Sequence, residues 1–201
     1  MTSLIAYLNH WSGTGPAALT GGPAPRAQSL PLYRLHEQDL HAFRALLIPA
    51  HADQRYLLSQ RSRLQDYLLA GGTVVVNGHV AYPFLCWLTP FQAGTAGGVE
   101  GLRVHRARPH PIFQGVDPDE LTFRRGVAGF YARGASPAPM DAVVLNTLGP
   151  DHLPIDWLLA LPGGGRLLCH SGNDLWMYAG STDSVGRIVP QLFDWLQGDA
   201  A

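Results

Sequence analysis

The chain has 201 residues, enough to bury a full hydrophobic core and near the upper end of what one domain holds; 46% are apolar and 14% charged. A formal charge of −1 without any basic block excludes the electrostatic footprint of nucleic-acid binding, and the low charge content excludes disorder driven by self-repulsion. All 14 basic residues are arginine, which removes a Schiff-base lysine, a Walker-A lysine and a lysine general base from consideration.

Residues 3–8 read as a first strand, followed by Asn9, His10 and Trp11. From Ser12 to Pro25 the chain is rich in Gly and Pro, the composition of a mobile loop or a lid. Leu30 to Leu35 and Arg44 to Pro49 are the next expected strands, and the second runs into His51. Asp53 suits the N-cap of a helix whose Leu57, Leu64 and Leu68 share a face and which Gly71-Gly72 ends. Thr73 to Asn77 reads as a fully buried strand that stops at Gly78, with His79 on the turn and Tyr82 three residues on.

The stretch 89–138 is richer in Gly, Pro and Arg, and pieces such as Leu102 to Arg106 alternate in strand fashion; it is expected to be a β-rich excursion. Val143 to Leu145 and Arg166 to Cys169 read as late strands, the second preceded by the turn Pro162 to Gly165. Those glycines precede a strand and do not open a helix, so they lack the amide arrangement that cradles phosphate. Val185, Ile188, Val189, Leu192, Phe193 and Leu196 have helical spacing. Strands alternating with helices, and nothing marking a second domain, imply one α/β domain over 1–201: a doubly wound, mostly parallel, flavodoxin-like sheet with helices on both faces.

Four histidines follow expected strand ends: His10, His51, His79 and His170. In an open parallel sheet the carboxyl ends of the strands form the ligand-binding edge, so these side chains are expected to meet there. As metal ligands, His10, His51, His79 and His170, with Asp53 or Asp174, could hold a zinc ion, His10, His51 and His79 being the first candidates. As acid and base, His79 and His51 are the candidate catalytic pair. Alternatively they are hydrogen-bonded caps in partly solvated turns.

Trp11, Tyr82 and Trp176 accompany the polar candidates, and flat aromatic faces beside amides and carboxylates suit sugar rings. Arg103, Arg106, Arg108 and the pair Arg124-Arg125 read as a solvated face or an anion or oligomer contact. Cys86 and Cys169 lie among apolar neighbours and read as buried structural thiols. No basic segment followed by an apolar core opens the sequence, and no apolar run approaches the ~18 residues of a membrane span, so a cytoplasmic protein without a membrane partner is expected.

The run from Leu69 through Gly71-Gly72, Thr73 to Asn77, Gly78 and His79 resembles the helix, strand and turn before the reactive position of class I glutamine amidotransferase-like domains. His79 stands where the active enzymes carry cysteine, as in the ThuA-like (trehalose utilisation) branch. His110 to Gly115 is similar to that branch's His-Pro-Ile segment. Pro154 to Trp157, Gly164 to Leu167 and Ser171 to Asp174 are similar to its tryptophan, glycine-arginine and Gly-His-Asp run, except that Asn173 replaces the late histidine.

Ile48 to Asp53 corresponds to the loop that supplies oxyanion amides in amidotransferases, with Ala50 and His51 in place of the glycine pair. The resemblance implies a domain without thiol-dependent glutamine hydrolysis. It is expected to bind a small polar, carbohydrate-derived ligand at the sheet edge through Asn9, His10, Trp11, Asp53, Tyr82, His170, Asn173, Asp174 and Trp176 around His79 and His51. The alternative is an inactive amidotransferase-like subunit that acts through protein contacts, and a homo-oligomer remains open under either.

Overall fold

A computed structural model describes residues 4–11 and 13–198. Strand β1 (Leu4–Asn9) leads through α1 (Ala17–Thr20) to β2 (Gln28–Pro31), β3 (Phe43–Ile48), α2 (Gln54–Ser59), α3 (Arg61–Leu69) and β4 (Thr73–Asn77). The middle of the chain holds β5 (Gln92–Ala93), β6 (Val104–Arg106), α4 (Pro118–Thr122), β7 (Phe123–Arg124), β8 (Val127–Ala128) and β9 (Gly134–Ala135). Then come β10 (Val143–Leu148), β11 (Leu153–Ala160), β12 (Arg166–His170) and α5 (Ile188–Gln197).

Eight strands form the central sheet in the order β2-β1-β3-β4-β12-β11-β10-β6. The first five are mutually parallel, and β11, β10 and β6 follow with each successive pair antiparallel. With β12 as the fifth parallel strand, the order is the flavodoxin-like 2-1-3-4-5, which reverses direction between β1 and β3.

Strand side chains alternate between two cores. Val74 and Val76 pack with Leu57, Leu64 and Leu68 of α2 and α3 on one face. Val75 packs with Ile188, Leu192, Phe193 and Leu196 of α5 on the other. The 2.0-residue period thus serves a sheet covered on both sides, which is why β4 is buried throughout. Asp53 caps α2 as expected, accepting from the amides of Arg55 and Tyr56.

The structure corrects several element boundaries. The second strand spans Gln28–Pro31 and not Leu30 to Leu35; beyond Pro31 the chain winds into a 3-10 turn that buries Leu32 and Leu35. Ser12 lies outside the described residues, and the rest of the Gly/Pro stretch is largely exposed except around Leu19. It contains α1, buries Leu19 completely, and passes Gly15 so closely over Tyr7 that a Cβ there would lie 2.8 Å from the ring.

β11, between two partners, was not expected, because Pro154 and Asp156 break its apolar pattern. Pro154 is accommodated because the pairing with β12 begins only at Asp156. The 89–138 excursion holds two small ribbons, β5 with β9 and β7 with β8, while β6 joins the main sheet as its outer strand. In register across the sheet lie Arg106, Asn146, Asp156, His170 and Asn77, one polar residue from each of five adjacent strands.

Candidate functional site

Gly78 determines how the site is built. Its φ of +91° favours glycine, and a Cβ would lie 2.6 Å from the Ala50 α-carbon, so the loops after β3 and β4 touch. That contact places His51 and His79 in one cleft of about 240 Å³ at the carboxyl edge of the sheet. Gly129 to Arg133 line its far side, and Gly172 and Asn173 complete it.

The His79 ring stacks on Phe91 with centroids 3.6 Å apart and planes 13° from parallel. The His79 carbonyl accepts from the Gln54 side chain at 2.7 Å. Partial burial, and secondarily the neighbouring His51, holds the His79 imidazole below its ordinary pKa. His10 is lowered for the same two reasons. The cleft brings His51 and His79 together, while His10 is not among the residues that line it. The His10 ring tilts against Trp11 with centroids 4.7 Å apart, and its two nitrogens are buried with no hydrogen-bond partner among the described residues.

Asp174 lies behind the wall. It accepts from the Ala50 amide at 2.7 Å, which steadies the loop carrying His51. Burial raises its pKa, opposed by the Ala50 amide, by His170, by the Trp176 indole, whose N–H makes no well-formed hydrogen bond, and by His51.

His170 and Asp156 form a fully buried pair, Nδ1 to Oδ1 2.6 Å. Asp156 Oδ2 also accepts from Tyr131 at 2.7 Å and from Asn146 at 2.6 Å. His170 Nε2 has no partner among the described residues and lies beneath Gly172, where a Cβ would approach it to 2.9 Å.

Other candidates do different work. Asn9 binds the Gly13 carbonyl, the Ser29 hydroxyl and the Trp11 amide. Asp53 is the α2 cap and also accepts from the Tyr33 hydroxyl. Tyr82 accepts from Arg55 at 2.7 Å in a neighbouring shallow depression. Trp176 is buried edge-on to Tyr7, and Trp11 is exposed; neither lines the cleft. His170 is sealed below it and not open to a ligand.

Among the described residues no group of three or more His, Cys, Asp or Glu is arranged to hold a metal ion. His79 is stacked on Phe91, His10 is turned to Trp11, and Asp53 is spent on its cap, so the zinc expectation lacks a coordination geometry. Cys169 is buried, with burial foremost and Asp156 after it pushing its thiol far up, and it sits in the core on the face opposite His170. Cys86 is exposed, contrary to the expectation from its apolar neighbours, and lies outside the cleft.

Sequence reasoning missed Phe130, Tyr131 and Arg133. Their signal is the run Gly129-Phe130-Tyr131-Ala132-Arg133-Gly134, two aromatics and a cation between glycines. A β-bridge between Ala132 and Gly172 docks this run against the end of the sheet.

No family profile and no curated protein matches the chain. Solved structures do. A cytoplasmic protein, STM3548 from Salmonella typhimurium, is similar with a TM-score of 0.59 and 13% identity over 97% of this chain and 98% of that one. The N-terminal domain of IFT52 is similar with a TM-score of 0.53 and 13% identity over 97% of each chain. At this identity the likeness is one of fold. Among the described residues no helix is long and apolar enough to cross a membrane.

Proposed function

We propose that this chain is a ThuA-like domain that binds a small polar, carbohydrate-derived ligand in the cleft between His51 and His79. The observation that carries the reading is the contact of Gly78 with Ala50, which seats two imidazoles at the carboxyl ends of β3 and β4, where doubly wound sheets bind their ligands. Phe130, 42% exposed, offers a flat apolar face beside them. Acid and base work in this cleft belongs to His79 and His51, the His79 imidazole being held neutral near pH 7 and so able to accept a proton. Thiol-dependent hydrolysis of glutamine is outside this reading, since Cys169 is buried and Cys86 lies away from the cleft.

A second reading, an inactive subunit that works through protein contacts, is favoured by Trp11, 68% exposed on the same edge. A cytoplasmic location agrees with two free thiols and with the description of one structural neighbour. The ligand reading is tested by titrating ¹⁵N-labelled protein with neutral and acidic monosaccharides. Amide shifts should concentrate at residues 50–51, 78–79, 129–133 and 172–173; saturable shifts centred on Trp11 with added protein, and none in the cleft with sugars, would favour the second reading.

A further inference from the structure

We infer that the ligand of this cleft is a carboxylate, a sugar acid whose carboxyl group is gripped by the Arg133 guanidinium while its hydroxyls meet His51, His79 and Asn173. This assignment rests on the cleft being a ligand site, and it specifies the chemistry of what enters.

The residues lining the cleft include no Asp or Glu, and Arg133 is the one among them that carries a permanent charge. Two acidic groups lie behind the wall, and both are engaged there: Asp174 accepts from the Ala50 amide, and Asp156 accepts from the Tyr131 hydroxyl. Arg133 Nε donates to the Gly129 carbonyl at 3.1 Å, which fixes the plane of the guanidinium. Its terminal nitrogens have no hydrogen bond or ion pair among the described residues, whereas Arg103 and Arg34 are bound to acidic partners. A planar fork held at its base and open at its tips fits a carboxylate through two parallel hydrogen bonds.

One permanent charge matches a monoanion better than a phosphate dianion. Asn173 spends its Nδ2 on the Phe130 carbonyl at 2.8 Å, which leaves Oδ1 as an acceptor for a ligand hydroxyl. The cleft, about 240 Å³, has room for a single sugar unit.

The test is calorimetric titration of the full chain with D-glucuronate, D-glucose and inorganic phosphate, each on the native protein, Arg133→Gln and Arg133→Lys. The expected result is glucuronate binding roughly tenfold or more tighter than glucose. Arg133→Gln should remove that preference, and Arg133→Lys should keep only part of it. Arg133 is exposed, so both variants should fold, which unchanged amide spectra away from 129–133 will verify. Equal affinity for glucuronate and glucose, a preference that survives Arg133→Gln, or phosphate bound more tightly than glucuronate would each overturn the carboxylate assignment while leaving the cleft as a ligand site. If none of the three binds, the ligand reading fails, and this inference with it.

Discussion

Asp156 Oδ1 and His170 Nδ1 lie 2.6 Å apart with neither side chain exposed, and this pair joins β11 to β12 beneath the cleft. Because Asp156 also holds the Tyr131 hydroxyl, the same carboxylate anchors the run that carries Arg133. A buried charge is tolerated when its hydrogen bonds are filled, and here Asn146, Tyr131 and His170 fill them.

His170→Ala should therefore be strongly destabilising, since it removes one partner and leaves a buried carboxylate short of a donor. The expected loss is about 3 to 5 kcal/mol in denaturant unfolding. A loss below about 0.5 kcal/mol would mean that the pair holds nothing together.

His79→Ala should behave oppositely. The ring is only partly buried, makes no side-chain hydrogen bond among the described residues and contributes a stack on Phe91, so the change in stability is expected within about 1 kcal/mol. Sugar binding should fall. A variant that melts many degrees lower yet binds as before would make His79 a structural residue.

His110 gives a pH signature at the other end of the molecule. Its Nδ1 accepts from the Ile112 amide at 3.3 Å, and burial, followed by Arg166 and Arg106, lowers its pKa to about 4. The folded pKa lies below the ordinary 6.5, so the unfolded chain binds more protons between the two values. Stability from this group is present above pH 6.5 and is lost as pH falls towards 4, by roughly 1 to 2 kcal/mol after allowance for solvent screening. Denaturant midpoints measured at neutral and acidic pH should show that loss, and His110→Asn, which keeps an acceptor for the Ile112 amide, should flatten it.

Asp174→Asn should hold or raise stability at neutral pH. The asparagine oxygen can still accept from the Ala50 amide, while the cost of burying a charge disappears. Since burial raises the folded pKa of Asp174, its contribution weakens as pH rises past the ordinary carboxylate range, and the gain should be largest there. A variant less stable at neutral pH than the parent would contradict this.

The parallel half of the sheet was legible because β1, β3 and β4 are continuous apolar runs bounded by polar turn residues, and α5 because its spacing is helical. β11 was not, since Asp156 looks like a loop residue until its partners from β10, β12 and the 129–133 run are known. The same holds for the site. His51 and His79 follow from strand ends, but Arg133 arrives from a segment docked by one β-bridge, which no local pattern encodes.

The most direct test follows the imidazole ring resonances of the labelled chain as D-glucuronate is added. His51 and His79 should move together along one saturable curve, while His36 and His41, which lie on 3-10 turns outside the cleft, stay fixed. Rings of His51 and His79 that remain still, or that move no more than those of His36 and His41, would contradict the placement of the ligand between them.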